Sequence, residues 1–266
     1  MNKAFLKWAG GKSQSLDFIL EAVGEIEGRF IEPFVGSGVV MLNANSSNVI
    51  ISDFNEDLIN LYKILKISDD FIDTLKFYFS GEFNNADSFY SLREKFNNSS
   101  SIEEKSAIFV YLNRHCFNGL CRYNKSGKFN VPFGKYKKIN LPEREIITFK
   151  QRLECCEIIH CSFENVIKLS ERGDVIYCDP PFVPLSLIAS FTDYSVGGFT
   201  KEQQKELAKL AEESKAKVLI SNHDTEFTRE IYKNSSYIKT KEVKRFISAK
   251  SSSRGMVSEL LAVYNN

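Results

Sequence analysis

An α/β fold with a mostly parallel sheet covered on both faces is what this 266-residue sequence predicts, on three observations. Short apolar runs alternate with helical patterns along most of the chain. One such run, Arg29-Phe30-Ile31-Glu32-Pro33, leads into Phe34-Val35-Gly36-Ser37-Gly38, a glycine turn between a strand and a helix start. Another, Val175-Ile176-Tyr177-Cys178, runs directly into Asp179-Pro180-Pro181-Phe182. Open parallel sheets bind ligands at the carboxyl ends of their strands, where both features would lie.

Taken in order, strands are expected near 29–33, 48–53, 157–161, 174–179, 216–221, 236–247 and 256–264. The segments after 37, 55, 162, 200 and 224 have helical character, and Thr200-Lys201-Glu202-Gln203 supplies a capping box. Residues 56–154 interrupt the alternation with helical patterns, Ser101 to Asn113 among them, and then a basic loop. They are expected to form an insert, leaving 1–55 and 155–266 as the sheet domain. A chain of this length with 43% hydrophobic residues can bury a full core and carry such an insert.

The tetrapeptide after the fourth strand carries the clearest chemistry. A carboxylate, two residues of fixed φ without N–H groups, and an aromatic ring make a rigid floor suited to a planar amine. An amine such as that of adenine is a poor nucleophile because its lone pair is delocalised, so a catalyst must hold both its protons in acceptors. Asp179 and the Pro180 carbonyl are candidates for those acceptors, Pro181 stiffens the turn, and Phe182 offers a stacking face. A strand-ending Asp-Pro turn with a core phenylalanine is the bland alternative. Gly36 and Gly38 resemble a nucleotide-binding turn, but Val40 and Met41 stand where a third glycine would be, which disfavours NAD. Asp53 ends the next strand, placed to accept both hydroxyls of a ribose or to cap the following helix.

Net charge is +1, yet charge is unevenly distributed. Arg122, Lys125, Lys128, Lys135, Lys137 and Lys138 lie between 122 and 138 with no acid among them. Phe117, Tyr123, Phe129, Phe133 and Tyr136 interleave the run, a combination that suits phosphate contacts and stacking at bases. A second basic run extends from Lys239 to Arg254. Gly11-Lys12-Ser13 resembles a phosphate-loop tail but has Leu6 where that motif needs glycine, so ATP is disfavoured. Pro-Cys pairs and His-x-Glu are absent, which excludes cytosine-C5 methyl transfer and zinc deamination. His115, His160 and His223 show no metal spacing, and no metal is expected. The six cysteines lack Cys-x-x-Cys spacing and no apolar span or signal segment is read, so a reducing cytoplasm is expected.

Beyond these readings, the chain resembles the Dam family of DNA adenine methylases from about Lys3 to about Tyr264. The resemblance rests on Ala4-Phe5-Leu6-Lys7-Trp8-Ala9-Gly10-Gly11-Lys12, Glu32 to Gly38, Ser52-Asp53-Phe54-Asn55 and Asn118-Gly119-Leu120-Cys121-Arg122-Tyr123-Asn124. It continues through Phe129 to Gly134, Asp179 to Ser186 and Ile220 to Thr225. It implies a Rossmann-like S-adenosylmethionine-dependent methyltransferase fold with an inserted, mainly helical target-recognition domain. It also implies S-adenosylmethionine as cofactor, double-stranded DNA with GATC sites as substrate, and direct transfer to a flipped-out adenine. By resemblance Trp8, Lys12, Asp53 and Asp179 contact the cofactor, within a site that includes Glu32, Phe34, Gly36 and Gly38. Lys7 and Arg122 would read guanines, and Phe117 would wedge into the base stack. Asn118, Asn124, Lys135, Tyr136 and Lys137 complete the DNA-facing set, the lysines as phosphate holders. Phenylalanine replaces the family tyrosine at 117 and 182, keeping each ring and losing its hydroxyl. A monomer is expected. The rival functions are methylation of another planar amide or amine and catalytically silent DNA binding.

Overall fold

A computed structural model describes residues 1–183, 199–244 and 256–265. Pro184-Leu185-Ser186 of one matched stretch, and Arg245, Lys250 and Arg254 of the second basic run, lie outside the described residues. Seven strands form one sheet: β1 (Phe30–Glu32), β2 (Val49–Asp53), β3 (Cys156–His160), β4 (Val175–Cys178), β5 (Lys217–His223), β6 (Tyr237–Lys244) and β7 (Met256–Tyr264). Their order is β3-β2-β1-β4-β5-β7-β6. Pairing is parallel from β3 through β5, and β7 runs antiparallel to both of its neighbours. Because β2 and β4 flank β1, the chain reverses its direction of winding there. This switch point opens a crevice at the strands' carboxyl ends.

Helices cover both faces, as the near-continuous burial of β1, β2, β4 and β5 requires. They are α1 (Leu16–Val23), α2 (Glu56–Ile67), α3 (Phe71–Tyr78), α4 (Ala86–Asn98), α5 (Ile102–His115), α6 (Glu143–Leu153), α7 (Phe163–Ile167), α8 (Lys201–Glu213) and α9 (Glu226–Ile231). Successive strand residues point to opposite sides. Phe30, Val49, Ile51, Val175 and Tyr177 therefore join the core built with α1 to α6, whereas Ile31, Ile50, Ile176 and Cys178 join that built with α7 to α9. Residues 107–112 of α5 are buried all round, which makes this helix the centre of the 56–154 region. The capping box at Thr200 forms as its sequence predicts, and Thr225 with Thr228 makes a second at the start of α9.

One expected helix does not form. After residue 37 the chain makes consecutive turns, with helix-like bonds only from Leu42 N–H to the Gly38 carbonyl (3.0 Å) and from Ala44 N–H to the Val40 carbonyl (2.8 Å). The intervening Met41 N–H donates to the Glu32 carboxylate (2.9 Å), and Asn43 N–H bonds Val40 three residues back. A side chain from the end of β1 thus takes a donor that a helix would have used.

Candidate active site

The crevice is assembled from four chain segments. At the end of β1, Gly36 and Gly38 have φ of +46° and +69°, conformations that favour glycine. A Cβ at Gly36 would lie 2.8 Å from the Trp8 ring, and one at Gly38 would lie 2.8 Å from the Phe149 ring. The first glycine therefore seats Trp8, a candidate binding residue, whereas the close approach at the second serves packing against α6. Tyr62 of α2 donates its hydroxyl to the Gly36 carbonyl (2.6 Å) and holds the turn from behind. Glu32 lies beneath the loop, 2% exposed, and burial raises its pKa well above the carboxylate range. Phe34 stacks on Phe163 at 5.4 Å between ring centroids and meets Phe199 edge-on.

Asp53 closes the second side. Its oxygens accept Gly36 N–H (3.0 Å) and Asn55 N–H (2.9 Å), and a carboxylate has acceptor capacity beyond these two bonds. Burial raises its pKa, opposed by these backbone N–H groups. Capping of α2 belongs to Asn55, whose side chain accepts from Leu58 N–H (3.1 Å), and not to Asp53.

Asp179 and Phe182 form the third side, and Lys12 crosses to them from the N-terminal segment. The Lys12 ammonium lies 2.8 Å from Asp179 Oδ1, donates to the Gly10 carbonyl (2.6 Å) and sits 4.4 Å above the centre of the Phe182 ring. Lys12 is 5% exposed and Asp179 21%, so the ion pair is shielded while the carboxylate still reaches open space. Burial raises the Asp179 pKa, and the Lys12 charge works against that rise. Pro180 is buried and Pro181 exposed. The Pro180 carbonyl accepts no hydrogen bond from any described residue, whereas Pro181 and Val183 are bonded to side chains of α8 and β5.

The basic loop meets the crevice through the consecutive residues Lys7 and Trp8. The Lys7 ammonium lies 4.4 Å above the Tyr136 ring, whose hydroxyl accepts Asn118 N–H (3.0 Å). Asn113 of α5 bonds both the N–H and the carbonyl of Lys7 (2.9 and 2.7 Å), and burial together with Arg114 lowers the Lys7 pKa. Phe117 is 50% exposed, next to Asn118 at φ +56°. Arg122, Lys135 and Lys137 are exposed, and Arg122 Nε donates to Asn130 (2.8 Å), leaving its terminal fork available. Asn124 is placed differently. Its side-chain oxygen accepts from Ser126 N–H, Ser126 hydroxyl and Lys128 N–H, so that oxygen shapes the turn. Lys7, Phe117, Asn118 and Tyr136 are thus gathered into one cluster, and Arg122 with Asn124 stands on the adjoining hairpin.

Sequence reading did not single out Tyr62, Gln204 or Tyr232, all of which bond to site segments or to their supports. Among the described residues no cluster of three or more His, Cys, Asp or Glu could hold a metal, and no helix is long and apolar enough to cross a membrane.

Comparison with known proteins gives the family. Residues 8–246 match the profile of the D12 class N6 adenine-specific DNA methyltransferases. The chain is 46% identical over 270 residues to a DNA adenine methylase of Serratia marcescens, a match covering 99% of this chain and 98% of that protein. It is 44% identical to DNA adenine methylases of Haemophilus influenzae and Escherichia coli K12, covering 99% of this chain and 94% and 95% of theirs. With the profile spanning the glycine loop, the basic hairpin and the Asp179 pocket alike, this chain belongs to the D12 class of N6 adenine-specific DNA methyltransferases.

Proposed function

We propose that the chain methylates the amino group of adenine in GATC sites of duplex DNA, on a base turned out of the stack, with S-adenosylmethionine as methyl donor. The observation that carries the reading is the pairing of Asp179 with a Pro180 carbonyl left open among the described residues. These two acceptors can take the two protons of one amino group, direct its lone pair away from the ring and stabilise the positive charge it gains. Phe182 supplies a face for the base, and an adenine inside a duplex cannot reach such a crevice without flipping.

The residues present fit the cofactor. Asp53 has lone pairs for a ribose diol, Trp8 is seated against Gly36, and Phe54, 83% exposed beside Asp53, offers a ring face. When bound, S-adenosylmethionine supplies a methyl group made electrophilic by its sulfonium. The chain's own residues orient the amine, exclude water and keep Asp179 ionised through Lys12. Residues 56–154 are the target-recognition insert in this reading. Lys7 and Arg122 read guanines, Phe117 fills the space left by the flipped base, and Lys135 and Lys137 hold phosphates. Labelled S-adenosylmethionine incubated with duplexes differing only at GATC tests the reading: incorporation confined to the GATC duplex is expected, and equal incorporation into both would reject the specificity.

A further inference from the structure

The Asp179 to Val183 segment cannot anchor itself. Residues 180 and 181 have no N–H, so the loop has few donors of its own and depends on outside partners. Three side chains provide them. Gln204 of α8 donates Nε2 to the Pro181 carbonyl (2.8 Å), Asn222 of β5 accepts Val183 N–H (3.0 Å), and His223 Nδ1 lies 2.6 Å from the Val183 carbonyl. Both peptide units flanking Phe182 are therefore held, and His223 also meets the Phe182 ring edge-on at 4.9 Å.

The orientation of the Gln204 amide is fixed by its neighbours. Its oxygen accepts from Asn222 Nδ2 (2.9 Å) and from the Tyr232 hydroxyl (3.3 Å), while Asn222 Nδ2 also donates to that hydroxyl (3.1 Å). With the oxygen occupied by two donors, the nitrogen must face Pro181. Gln204 and Asn222 are 1% and 0% exposed, so this closed set of bonds is not exchanged with water.

We infer that Gln204, locked by Asn222 and Tyr232, is a positioning residue for methyl transfer. It holds the Pro181 carbonyl away from the crevice, so that of the two proline carbonyls only that of Pro180 joins Asp179 as an acceptor for the amine, and Phe182 keeps its height. This inference rests on the function proposed above. A site of this kind, displaced by as little as 1 Å, loses on the order of 10²-fold in rate.

Gln204→Glu distinguishes positioning from mere structure. The ionised variant sets a carboxylate oxygen against the Pro181 carbonyl, and the loop is pushed off; protonated, the same group donates an O–H there and restores the clamp. The titratable groups around it are the Tyr232 hydroxyl and Cys178 thiol, both raised by burial, and His223 and Asp179 at the loop itself. Single-turnover methylation of a GATC duplex is measured from pH 5.5 to 8.5 for wild type, Gln204→Glu and Gln204→Met, with DNA affinity and thermal unfolding alongside. Relative to wild type, Gln204→Glu is expected to lose roughly 10- to 100-fold at high pH and to recover as pH falls. Gln204→Met is expected to be slow at every pH, with DNA affinity within about twofold for both, because neither variant alters a charged DNA contact. Wild-type rates in either variant, or a loss in Gln204→Glu that does not vary with pH, would overturn the inference. A variant that does not fold is replaced by Tyr232→Phe, which removes one of the two donors that orient the Gln204 amide and is expected to slow transfer; a full rate there also overturns it. Wild type inactive on every duplex would instead reject the proposed function.

Discussion

The Asp179 pocket and the 116–138 hairpin region solve opposite problems with different materials. The pocket loop is short, has two prolines, and is tied to β5 and α8 by buried side chains that also bond one another. The hairpin has two isolated bridges, Cys116 with Phe133 and Tyr123 with Phe129, short backbone bonds such as Asn130 N–H to the Arg122 carbonyl (3.1 Å), and clamps from Arg93 and Asn97 of α4. Its functional candidates Phe117, Arg122, Lys135 and Lys137 point outward, and Asn118 and Lys135 sit in the left-handed region at φ +56° and +55°. Chemistry on a weakly nucleophilic amine needs acceptors fixed to a fraction of an ångström. In the proposed role, contact with DNA needs long exposed side chains, and here they stand on a backbone bonded from its roots to the turn at Asn124.

That contrast predicts where substitutions act. Asp179→Ala removes an acceptor and the Lys12 ion pair while leaving the hairpin intact. Single-turnover methyl transfer should fall by at least ~10²–10³-fold with DNA affinity preserved, and near-normal turnover would remove Asp179 from the chemistry.

A smaller effect on rate sharpens the electrostatic side. In the proposed role Asp179 is the stronger acceptor when ionised, and its pKa is raised by burial with Lys12 opposing the rise. Removing the ammonium in Lys12→Met must raise that pKa further, so the acid limb of the pH–rate profile, scaled to each enzyme's own maximum, should move to higher pH. A limb left in place would show that the ion pair does not tune Asp179.

In the hairpin region, Phe117→Ala should weaken base flipping by roughly tenfold, read as lower fluorescence from 2-aminopurine at the target position. An unchanged signal would make Phe117 a packing residue. Arg122→Ala should lose ~1–3 kcal/mol of discrimination against sites with one outer base pair altered. Lys137→Ala should weaken all sequences alike and lower the salt slope of binding by ~1. Equal losses of GATC and altered sites in Arg122→Ala would assign Arg122 to phosphate holding.

The central strands were legible because each is an apolar run closed by a turn residue or a charge, and Asp53 and Asp179 mark strand ends directly. The segment after Gly38 was misread as helical because its apolar pattern is local, whereas the carboxylate that interrupts it comes from Glu32, nine residues back. Tyr62, Gln204 and Tyr232 carried no signal for a similar reason. Each is turned toward the core, Tyr232 just past the end of α9, and its polar atom finds a partner more than ten residues away, except where Tyr232 meets Asn222. Asn124 resembled a DNA contact by its neighbours, and only the folded turn shows its oxygen occupied by Ser126 and Lys128.

The central claim is that the crevice formed by Asp179, Pro180 and Phe182 places its methyl group on the amino nitrogen of adenine. Nucleoside mass spectrometry of a duplex methylated by the wild-type enzyme tests it most directly. The account predicts N6-methyldeoxyadenosine as the product, at the adenine of GATC and absent with Asp179→Ala; methylated cytosine, or the same adenine product from the Asp179 variant at an undiminished rate, would contradict it.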